Sequence, residues 1–143
     1  MQSGTYTIYN VSFSKQVIDL SGGGAIDGTP VIGYNYDTSI NENQRWTVQV
    51  LAKEGDNQAT VRLINNGTGT YMRAEPETLG AGVVGSHVAT KWTLVKLEMG
   101  HYMIKGQQGE LVCSLKNGGN STQITLAALD DSDNRQLWTF NEE

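Results

Sequence analysis

The sequence predicts an all-β domain in which three copies of one four-stranded unit close around a pseudo-threefold axis. Three observations predict it. The tryptophans, Trp46, Trp92 and Trp138, stand 46 residues apart, and each opens the same triplet of tryptophan, threonine and an apolar residue: Trp46-Thr47-Val48, Trp92-Thr93-Leu94, Trp138-Thr139-Phe140. Short stretches of period-two apolar alternation recur between them, the pattern of half-buried strands. Seventeen glycines and the lack of any sustained helical period argue against helical repeats. Twelve short strands in three units of four describe a β-trefoil, a closed barrel without free sheet edges.

The elements follow in order. The chain reads as a single domain, 1–143, with units at approximately 4–55, 56–98 and 99–143. Each unit opens on an alternating strand, marked by Tyr6 and Ile8, Val61 and Leu63, and Tyr102 and Ile104. Second strands are expected over 16–20, 70–74 and 110–115, and third strands over 30–34, 81–85 and 123–128. The tryptophan strand closes each unit. Turn formers separate them: Ser21-Gly22-Gly23-Gly24, Asn65-Asn66-Gly67 and Asn117-Gly118-Gly119-Asn120. The tryptophans are core residues in this reading, each burying a large ring and needing an acceptor for its indole N–H.

Composition narrows function. A formal net charge of -5 disfavours a phosphate-backbone partner, so no nucleic acid is expected. No apolar run is long enough to insert into a membrane. The N-terminus lacks a basic start and an apolar segment, and the single Cys113 cannot form an internal disulfide; both point to a cytoplasmic protein or one exported by a non-classical route. His87 and His101 lie in different units without ligand spacing, and Asp130, Asp131, Asp133 and Asn134 lack the glycine and distal glutamate of a calcium loop, so no metal or other cofactor is expected. Cys113 sits in the apolar run Leu111-Val112-Cys113 and reads as core. No Gly-x-Ser-x-Gly elbow or phosphate loop is present, and the chain is read as no enzyme.

Asn43-Gln44-Arg45-Trp46 carries the Gln-x-Trp signature, and with Val17-Ile18-Asp19-Leu20-Ser21-Gly22-Gly23 and Gly28-Thr29-Pro30-Val31-Ile32-Gly33-Tyr34 it resembles the ricin-B-like lectin domains, most closely their mushroom members. The resemblance spans the chain as a repeat but is detailed only in the first unit. In the third, Gln136 keeps its place while Arg135 stands for Asn43 and Ser114 for Asp19; the second has Ala89-Thr90-Lys91-Trp92, with Ala74 or Glu75 near the Asp19 position. The resemblance implies one sugar site, in the first unit, for galactose or N-acetylgalactosamine-type glycans.

The chemistry suits that role. A sugar offers vicinal hydroxyls and a patch of C–H groups. Asp19 supplies a carboxylate to accept hydroxyl hydrogens, Asn43 an amide that donates and accepts, and Tyr34 or Tyr36 a ring for the C–H patch. Gly22 or Gly23 lets backbone approach the ligand, and Gln44 supports the site. The competing structural readings make Asp19 a cap of the Ser21–Gly24 turn, Asn43 a turn residue and either tyrosine a cover of the barrel. One weak site per chain implies pairing, through a homodimer or association with a larger protein. Two other functions fit the fold: a lectin-like partner subunit without sugar binding, and a protease inhibitor acting through the loop from Glu75 to Gly82 around Pro76.

Overall fold

A computed structural model describes residues 1–143. It contains thirteen strands: β1 (Gly4–Asn10), β2 (Gln16–Leu20), β3 (Thr29–Asn35), β4 (Trp46–Glu54), β5 (Gln58–Asn65), β6 (Tyr71–Arg73), β7 (Val84–Ser86), β8 (Trp92–Lys96), β9 (Tyr102–Lys105), β10 (Leu111–Ser114), β11 (Thr122–Gln123), β12 (Thr125–Ala128) and β13 (Trp138–Glu142). Six strands close a ring: β1 pairs with β4, β4 with β5, β5 with β8, β8 with β9, β9 with β13, and β13 returns to β1. This six-stranded barrel is capped by the hairpins β2–β3, β6–β7 and β10–β12. No helix is long and apolar enough to cross a membrane.

The threefold axis is written in the backbone. Val31 N donates to Val83 O (2.9 Å), Val83 N to Ile124 O (2.8 Å), and Ile124 N to Val31 O (2.9 Å), a closed triangle of one residue from each cap hairpin. The expected third strand over 123–128 is therefore broken. At Ile124 the chain leaves β3, the partner of β11, and turns its backbone into the triangle before pairing with β10 through β12. Hence thirteen strands rather than twelve.

The tryptophans are fully buried and held alike. Each indole N–H donates to the carbonyl of a second strand: Trp46 to Ile18 (3.0 Å), Trp92 to Met72 (2.9 Å) and Trp138 to Cys113 (3.2 Å). All three rings lie in one 21-residue cluster with Ile8, Leu20, Leu63, Leu94, Ile104 and Leu115. Close packing is met differently in each unit. A Cβ at Gly33 would lie 2.8 Å from the methyls of Leu115, and one at Gly85 2.9 Å from a methyl of Leu20. At the remaining pair of equivalent positions the sizes are exchanged, with Ala74 just after β6 and Leu126 on β12, both buried.

The loop from Glu75 to Gly82 is pinned at both ends. The Glu77 carboxylate accepts from Gln108 N (2.8 Å), and Gly80 N donates to Leu126 O (2.8 Å). Glu77 replaces a side chain missing from the third unit. Asn10 and Asn65 accept with Oδ1 from the amides two and three residues on, and donate with Nδ2 to Arg135 O and Asn43 O. Their counterpart is Gly106, and a Cβ there would meet Glu77 Oε1 at 2.7 Å.

Candidate functional site

The indole contacts fix which residues are equivalent. The residue following each indole acceptor is Asp19 in the first unit, Arg73 in the second and Ser114 in the third. Ser114 is where the sequence placed it. The second-unit counterpart is Arg73, not Ala74 or Glu75; Ala74 is the next position, buried like Leu20 and Leu115. The error came from a shorter β6, whose hairpin shifts the apparent spacing.

Asp19 is 5% exposed. Its Oδ2 accepts from Gln44 Nε2 at 2.9 Å, and this is its one hydrogen bond within the protein. The carboxylate does not cap the turn over Ser21–Gly23, whose N-terminal residue Leu20 has no side-chain cap. Burial pushes the Asp19 carboxyl above the ordinary aspartate range; the Gln44 amide opposes this and the charge of Asp37 adds to it. Gln44 is itself clamped. Its Oε1 accepts from Asp37 N (2.9 Å) and its Nε2 also donates to Asn35 O (2.9 Å).

Asn43 lies on the turn over Glu42–Gln44, beside Gln44, and packs on the neighbouring turn. A Cβ at Gly23 would stand 2.5 Å from Asn43 Oδ1. The turn is capped by Asn41, whose side chain accepts from Asn43 N (3.0 Å); the Asn43 side-chain amide makes no hydrogen bond within the protein. Gly22 and Gly23 both adopt left-handed backbone, at φ +59° and +66°. At Gly22 a Cβ would meet nothing within 4 Å, so its requirement is conformational, whereas Gly23 also makes room for Asn43.

The tyrosines share a face with Asp19. Across the β2–β3 ladder Asp19 pairs with Ile32 and Val17 with Tyr34, and alternation carries that face on to Tyr36. Tyr34 is 41% and Tyr36 40% exposed. Tyr36 leans on Tyr9, ring centres 5.5 Å apart. The sequence reading missed Ile32, which sets an apolar side chain beside the carboxylate, and Tyr9; strand alternation held the signal for both.

The other units fill these positions differently. Arg73 pairs with Val84, and Ser86 stands at the Tyr34 position; in the third unit Ser114 pairs with Thr125, and Ala127 stands there. The glutamine contact persists as Gln136, which accepts from Asp130 N and donates to Ala128 O. In the second unit it is inverted: Arg73 donates to Thr90 Oγ1 at 3.2 Å. The acidic loop is a turn, with Asp130 accepting from Ser132 and Asp133 holding Arg135.

A six-stranded barrel capped by three hairpins, with a glutamine two residues before a buried tryptophan and a carboxylate on the facing strand, defines a trefoil lectin domain. The chain belongs to the ricin-type β-trefoil lectin domain-like family, whose family model matches residues 42–127. It superposes on the Rhizoctonia solani agglutinin with a TM-score of 0.87 at 30% identity, covering 100% of this chain and 97% of that one. The fold is shared by the Macrolepiota procera ricin B-like lectin, solved in complex with lactose (TM-score 0.81, 24% identity, 100% and 99% covered). It is shared too by the designed threefold-symmetric protein ThreeFoil (TM-score 0.85, 21% identity, 98% and 99% covered).

Proposed function

We propose that this member of a carbohydrate-binding family holds one sugar, in the first unit, and binds it without catalysis. The observation that carries the reading is the pairing of a buried carboxylate with free neighbours. Asp19 is oriented by Gln44, the side-chain amide of Asn43, the residue before Gln44, has no internal partner, and an exposed tyrosine stands on the same face as Asp19. A carboxylate that accepts from two hydroxyls, an amide that bonds a third, and a ring for C–H contact form a galactose-type site. Tyr34 is the nearer ring, two residue pairs along the ladder from Asp19 and on the same face, and is assigned the stacking role. Units two and three carry Arg73 with Ser86 and Ser114 with Ala127, which supports a single site.

The inhibitor reading has a held loop, Glu75–Gly82 tied through Glu77 and Gly80, but no feature comparable to the buried Asp19 carboxylate supports it over sugar binding. A single shallow site binds a monosaccharide at about millimolar Kd, so useful avidity requires a homodimer or a larger partner. The test is a glycan array followed by titration of lactose into the protein and its Asp19→Asn variant. Binding of galactosides by the parent and none by the variant is expected. A blank array with folded protein overturns the reading.

A further inference from the structure

The face that carries Asp19 continues past the proposed sugar position. Along β2 it runs from Asp19 through Val17 and on to Lys15 just before the strand, and along β3 from Ile32 through Tyr34 and on to Tyr36 just after it, with Tyr36 N donating to Lys15 O at 2.9 Å. At about 3.3 Å per residue, Lys15 lies roughly 13 Å beyond Asp19, more than one pyranose ring away. Two adjoining hollows open there, of about 340 and 330 Å³, sharing Ser14, Lys15 and Asn35; Tyr9 and Tyr36 wall the first, and Phe13 and Gly118 the second.

The polar lining of these hollows is rich in free donors, with one unpartnered acceptor, Gln16 Oε1, at the second. Asn35 Oδ1 is taken by Gln16 Nε2 (2.7 Å), while Asn35 Nδ2, Ser14 Oγ and Lys15 Nζ make no hydrogen bond or ion pair within the protein. No carboxylate lines either hollow, on a chain of net charge -5. Two acids, Asp37 and Glu143, line the hollow on the other side of Tyr36; Asp37 is engaged by Ser39 and Asn41, and Glu143 by Thr7 and Arg45. Two aromatic walls, an unpaired ammonium and free N–H and O–H donors match a sugar ring bearing an anion.

We propose that the Lys15 hollow is a second subsite of the same platform. It takes an anionic substituent, carboxylate or sulfate ester, on a sugar linked to the residue held at Asp19. The inference rests on the sugar-binding reading above. It predicts that acidic glycans bind more tightly than matched neutral ones, through Lys15 and in a salt-dependent way.

The experiment compares lactose, 6′-sulfolactose, 6′-sialyllactose and a galactosyl-glucuronic acid disaccharide on the full chain and on Lys15→Gln, at about 0.05 and about 0.5 M salt. The parent is expected to prefer at least one acidic glycan over lactose by about fivefold at low salt, the scale of one exposed ion pair. Lys15→Gln is expected to erase that preference while leaving lactose affinity and the melting temperature unchanged. The sulfate and carboxylate arms tell which anion is taken. Equal binding of lactose and all acidic glycans, or a preference that survives Lys15→Gln, overturns the subsite and leaves the Asp19 reading standing. Binding to none of the four overturns both.

Discussion

Replacing Gln44 and Gln136 by alanine separates the site from the scaffold. The two glutamines hold equivalent turns: each accepts from a backbone N–H, of Asp37 or Asp130, and donates to a backbone carbonyl, of Asn35 or Ala128. Gln44 alone adds a bond to a buried carboxylate, Asp19. The shared bonds cost about 1 kcal/mol each in both variants, and the additional charge-assisted bond is worth about 2 kcal/mol more. Gln44→Ala should therefore melt about 6 °C below Gln136→Ala, taking about 3 °C per kcal/mol for a chain of this size. The difference should depend on pH. Asp19 has a folded pKa raised above the ordinary value of 3.8, so the folded state holds its proton more tightly than the unfolded state. Stability contributed by this group is fully present below the unfolded value and falls as pH rises through the raised one. Without the opposing Gln44 amide the pKa rises further, and the fall is larger. The gap between the variants should be widest near neutrality and narrow near pH 3. Thermal melts of both proteins across that range test it. Equal melting temperatures at every pH would refute the claim that Gln44 holds the carboxylate.

Asp19→Asn should abolish galactoside binding by calorimetry without lowering the neutral-pH melting temperature, since the amide oxygen still accepts from Gln44 and the buried charge is gone. Sugar binding by the parent should weaken on acidification at a pH above the usual aspartate range, because Asp19 is protonated there. Gly33→Ala should cost about 1–3 kcal/mol by overpacking Leu115, and that cost should shrink when the substitution is made in a Leu115→Ala background, read by denaturant unfolding as a double-mutant cycle. Glu77→Ala should leave the Gln108 amide without its acceptor, raising its hydrogen-exchange rate and loosening the Glu75–Gly82 loop with little change in global stability.

The fold was legible because its most demanding contact repeats in sequence. Each tryptophan must be buried and must find an acceptor on the second strand of its own unit, and the tryptophans themselves recur at an equal interval although the acceptor lies 28, 20 or 25 residues before them. That recurrence outlines all three units. What was not legible depends on pairing across units. The break at Ile124 exists because its amide joins the axial triangle, a partner supplied by the first unit. The role of Glu77 could not be read because it fills a gap at Gly106 in another unit. The register of Arg73 against Asp19 was hidden by the short β6. At the site, Asp19 and Gln44 were visible as residue types. That Gln44 clamps Asp19, and that Asn41 rather than Asn43 caps the turn, are facts of geometry.

Threefold repetition also separates what the barrel needs from what the first unit adds. In each unit the position after the indole acceptor has to be compatible with a turn-closing residue two places before the tryptophan. Arg73 with Thr90 and Ser114 with Gln136 satisfy it without a buried anion. The first unit instead buries the Asp19 carboxylate beside Ile32 with one protein hydrogen bond, at a desolvation cost visible in its raised pKa. On the function proposed above, a buried acceptor that the fold does without in two of three equivalent places, on the same face as an exposed ring, serves a partner from outside the chain. That partner must bring hydrogen-bond donors to the carboxylate and an apolar face to the ring, which is the surface a pyranose presents.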